Sequence, residues 1–190
     1  MKINFATPIL FLAVARFASD EQSRYYLRGV YVQKAAPGGL LYTATDGHRL
    51  LQAYDQDAEM EGVASVIIGI EKPKFSASWF KALWMTWDGD KLETDRADLL
   101  KAQPVDGSYP DWTRVIPKSC SGEAAQFNAN YMADFASVGK SGGFGVPHFH
   151  HNGLDPALVT FTDKRLRGVL TALRAHATDA GMPYIPDAAE

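Results

Sequence analysis

Three histidines stand almost together at His148, His150 and His151, and imidazole nitrogens are common zinc ligands. Neighbouring imidazoles seldom close on one ion without a distant carboxylate. The cluster also lies in a glycine-rich stretch, 141–153, where a polar loop or hairpin explains it more simply. A metal hydrolase built on these three is the weaker reading. Lys140-Ser141-Gly142-Gly143 hints at a phosphate loop, but the lysine precedes the glycines, whereas a phosphate loop needs glycines first and the lysine after them. A helix end running into a turn suits the segment better. Serine, histidine and aspartate are all present without a Gly-x-Ser-x-Gly elbow, so a hydrolase would have to assemble its groups from afar. Cys120, the single cysteine, sits between two serines with no base beside it. It can form no internal disulfide, and it suits a reducing compartment. Trp79 and Trp84 fall in apolar runs and read as core rather than as stacking platforms. No complete constellation for catalysis, metal or cofactor emerges, so neither enzymatic activity nor a cofactor is expected.

Two segments resist such simple accounts. Thr45-Asp46-Gly47-His48-Arg49-Leu50 places two bases between turn-formers and an apolar pair. Asp46 and Gly47 explain a turn, but not the bases. The second runs Asp106-Gly107-Ser108-Tyr109-Pro110-Asp111-Trp112-Thr113-Arg114-Val115-Ile116-Pro117, an irregular connector carrying two prolines and two aromatics. A turn and an interdomain linker remain the plain alternative for both.

The elements that must position these residues follow a recurring order. Lys2–Ala6 alternates like a strand. Thr7 reads as a helix cap with Pro8 at the first position, and the apolar residues from Ile9 to Phe17 surround most of that helix, which predicts burial. Strands are expected at Tyr25–Gln33, Leu40–Thr45 and His48–Tyr54, with a turn at Pro37-Gly38-Gly39. The order then repeats: a strand at Ala64–Ile70, a helix carrying Phe75, Trp79, Phe80 and Leu83, strands at Leu83–Thr86 and Lys91–Thr94 around Asp88-Gly89, and an edge strand at 102–105. A third pass starts with a strand at Ala124–Phe127. Asn128 caps a helix ending near Gly139, and strands follow at Leu158–Thr162 and Gly168–Arg174. The spacing is about 60 residues, a repeat of architecture rather than of identity.

In combination, the odd segments resemble the DNA polymerase III beta subunit family, the bacterial sliding clamps. Ala44-Thr45-Asp46-Gly47-His48-Arg49-Leu50 matches that family's Ala-Thr-Asp-Gly-His-Arg-Leu hallmark, and Asp106–Pro117 resembles its linker from middle to last domain. Arg24-Tyr25-Tyr26-Leu27-Arg28-Gly29-Val30, Phe127-Asn128-Ala129-Asn130-Tyr131 and Gly168–Arg174 resemble further family segments in the same order. The resemblance implies an α+β DNA clamp fold of about three β-α-β-β units. It divides the chain into a full clamp domain at 1–117, a half domain at 118–175 and a tail at 176–190. Lys118–Ala124 replaces a whole half domain of the family pattern.

It further implies a processivity factor in DNA replication or repair, acting without covalent chemistry. Such a protein encircles double-stranded DNA non-specifically as a homo-oligomeric ring, and residues Arg16, Arg24, Lys72, Lys74, Lys81 and Lys140 are the expected DNA-facing cations. The three expected helices carry a net +3 and the rest of the chain −6, a segregation that suits a positive lumen. Polymerase or other clamp-binding peptides would enter a cleft walled by Leu27, Thr45, Gly47, His48, Arg49, Leu50, Pro110, Arg114, Val115, Val169, Thr171 and Leu173. In that cleft Arg49 and Arg114 would donate to peptide carbonyls. Thr171 stands where the family usually has a larger apolar residue. The tail segment Met182-Pro183-Tyr184-Ile185-Pro186 is apolar and stiffened by two prolines, a form able to lie across such a cleft. Twelve units per ring would need four chains, so a tetramer is expected. An interaction module that forms no ring and modulates a full-length clamp is the alternative.

Composition agrees with a globular chain. Of 190 residues 46% are hydrophobic and 22% charged, with a net charge of −3, so disordered and collagen-like classes are excluded. The acidic balance argues against a surface coated in basic residues, though not against a local basic face. No apolar run approaches the ~18 residues of a membrane span, and the N-terminus lacks the shape of a secretion signal. A cytoplasmic protein with no membrane contact is expected.

Overall fold

The computed structural model describes residues 1–71, 81–95 and 101–174. Helix α1 (Pro8–Ala15) is apolar around its whole circumference, and seven of its eight residues are buried. A helix of this kind has no face for water and must be enclosed on all sides. Strand β1 (Lys2–Phe5) precedes it, and β2 (Gly29–Lys34), β3 (Leu40–Thr45) and β4 (Arg49–Asp55) follow. The rings of Phe5, Phe11 and Tyr42 meet with centroids 4.7–5.8 Å apart. They tie β1, α1 and β3 into one core.

Thr7 does not cap α1 with its side chain. Its backbone N–H instead donates to Asp55 Oδ2 at 2.9 Å, and the Tyr42 hydroxyl donates to the same oxygen at 3.0 Å. A buried carboxylate from the end of β4 thus serves the helix start, where negative charge is favoured.

Strands β5 (Glu59–Glu61), β6 (Ser65–Glu71), β7 (Met85–Trp87), β8 (Leu92–Thr94) and β9 (Lys101–Val105) complete the second pass. The expected helix with Phe75, Trp79 and Phe80, and with it Lys72 and Lys74, lies outside the described residues, as does the tail with its Met182–Pro186 segment. The third pass carries helix α2 (Ala129–Gly142) and strands β10 (His148–His150), β11 (Ala157–Thr160) and β12 (Leu166–Leu170). Two antiparallel sheets result. One runs β5-β1-β7-β8, the other β10-β11-β12-β4-β3-β2-β6-β9. The eight-stranded sheet crosses from the first pass to the third at β12 and β4, where Gly168 faces Leu51 and Val169 faces Leu50. The third unit therefore packs on its own chain, and β10 is left as a sheet edge.

Several sequence expectations shift. The strand expected from Tyr25 begins only at Gly29, because residues 22–27 form a 3-10 helix. Glu21 drives that turn by accepting from Ser23 and Arg24, local bonds that compete with a strand ladder. No strand forms at Ala124–Phe127. The Ala125 N–H donates to His151 Nδ1 at 3.0 Å, and Phe127 packs its ring against Phe149 and His151. These side-chain contacts and a single main-chain bond, from the Leu173 N–H to the Gln126 carbonyl at 2.8 Å, stand in place of the expected ladder, and the third pass lacks its first strand. Asn128 does cap α2, accepting from the Asn130 N–H. The helix runs past Gly139 to Gly142 and ends on Gly143 at φ +71°. The closing strand covers Leu166–Leu170 rather than Gly168–Arg174.

Candidate functional site

A cavity of about 300 Å³ opens where the first pass, the 106–117 connector and the third pass meet. Ten of the twelve expected cleft residues line it: Leu27, Thr45, Gly47, His48, Arg49, Leu50, Pro110, Val115, Val169 and Thr171. Arg114 and Leu173 are exposed and do not. The wall also includes Arg24, Tyr26, Tyr109, Asp111, Trp112 and Pro156. Of these, Tyr109, Asp111 and Trp112 lie inside the 106–117 segment, and Arg24 and Tyr26 inside the Arg24–Val30 segment. Their proximity to Leu27, Pro110 and Val115 was the clue available. Pro156 had none.

The turn at 45–49 is built by its own side chains. Asp46 Oδ1 accepts from the N–H groups of His48 and Arg49 at 2.9 and 3.0 Å. The Thr45 hydroxyl accepts from the Gly47 N–H and donates to the Arg49 carbonyl. Gly47 has φ +93°, and a Cβ there would stand 2.7 Å from Arg24 Nη1. Only glycine suits that backbone without strain. The His48 ring stacks on Tyr131 of α2, with centroids 5.8 Å apart, and the His48 carbonyl accepts from the Thr171 N–H at 2.9 Å.

The connector is pinned from the sheet side. Tyr109 stacks on Tyr31 of β2 at 4.9 Å with planes 5° apart. Trp112 Nε1 donates to Gln33 Oε1 at 3.0 Å, and the Arg167 guanidinium lies 5.9 Å from the Trp112 ring. Arg167 is held in turn by Gln52, which donates to Thr43, and burial lowers the Arg167 pKa. The short helix Trp112–Val115 is capped by Asp111, whose carboxylate accepts from Thr113. The Thr113 hydroxyl also donates to this carboxylate, and that bond, with a smaller part from the Thr113 N–H, lowers the Asp111 pKa. The arrangement is a mostly apolar, preformed depression with a few fixed polar groups, the form of a ligand site. Nothing in it resembles a nucleophile with its base.

The expected cations and histidines separate. Arg24 is ion-paired with Glu21 and lines the cavity. Arg16 joins α1 to α2 through Asp134 and Ser137. Lys81 and Lys140 are exposed. His148, His150 and His151 lie in and beside the β10–β11 hairpin. There His150 bonds the Thr160 hydroxyl and His151 accepts from Ala125. Among the described residues no group of three potential ligands could hold a metal ion, and no helix is long and apolar enough to cross a membrane.

Two buried phenols set an alkaline limit. Burial raises the Tyr42 pKa well above its ordinary value, and the Asp55 charge adds to this. Burial also raises Tyr109, against an opposing influence from the Thr45 backbone. Among the described residues no hydrogen bond of ordinary geometry satisfies the Tyr109 hydroxyl. A raised folded pKa gives stability that is complete below the unfolded value, about 10, and lost as pH climbs from there toward the folded value. Urea midpoints are therefore expected to fall progressively above about pH 10. Tyr109→Phe, which removes a hydroxyl lacking that bond, should reduce the fall at little cost near neutrality. An alkaline fall unchanged in Tyr109→Phe would count against this placement of the ring.

The comparisons fit this geometry. The beta sliding clamp of Caulobacter vibrioides is 35% identical over 113 residues, covering 54% of this chain and 30% of the relative. No family model matches. The solved clamp of Bartonella birtlesii, bound to griselimycin, superposes with a TM-score of 0.63 at 18% identity, over 92% of this chain and 66% of its own. The Bacillus subtilis clamp gives 0.65 at 16% identity, over 93% and 65%. The chain thus spans under a third of the curated relative and about two thirds of the solved ones. In fold, and in sequence over that stretch, this chain is similar to the beta subunit of bacterial DNA polymerase III, the sliding clamp, of which it spans only a part.

Proposed function

We propose that this chain is a sliding-clamp-like processivity factor, without enzymatic activity, whose cavity captures short clamp-binding peptides of polymerases or repair proteins. The observation that carries the reading is the convergence of the 45–50 turn, the 106–117 connector and β12 on one apolar depression. Apolar anchors of a peptide would fill the space among Leu50, Val115 and Val169, beside Trp112. The division at 117/118 and the tail from 176 belong to the same reading, as does a cytoplasmic setting.

The test uses a fluorescein-labelled peptide from the clamp-binding segment of a bacterial replicative polymerase. Val115 lines the cavity yet is 44% exposed, so Val115→Glu leaves the core intact. It should weaken anisotropy-measured affinity about tenfold, the effect expected for a charge in an apolar anchor site. Equal affinity for both proteins would refute the peptide site.

The ring is a separate part of the proposal. Four chains would supply its units, with dimers formed through residues 124–175, where β10 is one edge of the eight-stranded sheet. Light scattering at micromolar concentration should give a tetramer, and a lone monomer would refute both tetramer and ring. In that event the non-ring interaction module is the better account. The specific observation favouring it is Arg16, which faces Asp134 and Ser137 rather than standing out as a cation for phosphate.

A further inference from the structure

We infer that Asp134, which lies outside the cavity wall, is the positioning residue for that wall and acts through Arg49. The inference rests on reading the cavity as a peptide site. The sequence suggests that Arg49 would donate to a bound peptide. Its side chain is engaged elsewhere and is 12% exposed. Nε donates to Asp46 Oδ2 at 2.9 Å, and Nη1 pairs with Asp134 Oδ2. The guanidinium carbon lies 4.9 Å from the ring centroids of both Phe17 and Tyr131. Asp134 Oδ1 meanwhile accepts from Arg16 at 3.0 Å.

One carboxylate on α2 therefore joins α1 to the 45–49 turn. The turn cannot move independently of that side chain. The Arg49 N–H bonds Asp46 and its carbonyl accepts from Thr45, while neighbouring His48 stacks on Tyr131 one helical turn from Asp134. Charge-assisted bonds in a partly desolvated place hold geometry well, and a wall residue keeps its place only through such support. Without the Asp134 carboxylate, the guanidinium loses its ion pair on α2 and keeps only the weaker contact with the Tyr131 ring there. Arg49 already lines the cavity, so the freed group enters the space that a peptide would fill.

Two readouts on the full chain test this. In nitrogen-15 spectra the Arg49 Nη–H groups, of which Nη1 pairs with Asp134, should be slowly exchanging and shifted by the flanking rings, and Asp134→Asn should return that signal toward the free-arginine position. An Arg49 signal that is already free-like in the unsubstituted protein, or unmoved in Asp134→Asn, overturns the inference. This readout needs no peptide, and its first half needs no variant. The second readout is affinity for the fluorescein-labelled polymerase peptide. Asp134→Asn and Arg49→Met should each weaken it about tenfold, and the double variant should be no worse than either single one, because residues acting as one unit are not additive. Asp134→Glu, which keeps the charge, should restore most of the affinity. Losses that multiply in the double variant overturn the inference. If the unsubstituted protein binds no peptide, the peptide reading fails, and the Arg49 signal alone decides whether Asp134 positions the turn.

Discussion

Phe135→Ala is expected to lower stability by about 3–5 kcal/mol, the usual range for truncating a fully enclosed phenylalanine. The ring is completely buried. It sits 4.7 Å from Phe17 after α1, 5.9 Å from Phe149 in β10 and 6.4 Å from Phe161. Beneath it Gly168 leaves the space it needs, since a Cβ there would stand 2.4 Å from the ring edge. The residue thus joins α2 both to its own hairpin and to the first pass. Little can collapse into the gap, because the surrounding rings are themselves packed. Urea denaturation followed by circular dichroism would measure the loss. A loss below about 1 kcal/mol would contradict an enclosed ring.

Gly139→Ala is expected to cost about 2–3 kcal/mol through overpacking. Helix propensity alone predicts the opposite sign, a gain of about 1 kcal/mol in a helix interior. The reason for reversal is backbone on backbone. A Cβ at 139 would stand 2.2 Å from the Gly145 carbonyl oxygen, and a main-chain group cannot rotate away as a side chain can. The Phe144 N–H bonds the Gly139 carbonyl at 2.9 Å, so the returning chain is held against the helix at that point. Thermal and urea unfolding would both report the change. A stabilised variant would show that the 143–147 segment does not lie against the helix.

These two residues also mark where the sequence could be read and where it could not. Gly139 looks like a helix terminator, because glycine commonly ends helices. Nothing local shows that another backbone crosses it, nor that Gly143, four residues beyond the expected end of α2, takes the left-handed conformation. The α1 helix was legible, because no other arrangement of so apolar a segment avoids water. Thr7 as its cap was not, because the competing acceptor, Asp55, arrives from 48 residues away. The strand expected at Ala124–Phe127 fails for a similar reason, since its donor finds a histidine ring 26 residues on.

The candidate site divides in the same way. Local chemistry determined the 45–50 turn, in which Asp46, Gly47 and Thr45 satisfy one another within a few residues, and the same is true of the Asp111 cap in the connector. The resemblance carried by those motifs determined which residues would gather, and ten of the twelve named do line one cavity. Only tertiary structure decided what the charged members do there. Arg49 turns to Asp134 across 85 residues, Arg24, expected to face DNA, pairs with Glu21 and lines the cavity, and Arg16 bridges two helices. A sequence records that a guanidinium is present and always charged. Its partner is whichever carboxylate the packed chain brings within about 3 Å, and that distance exists only once the sheet has joined β12 to β4.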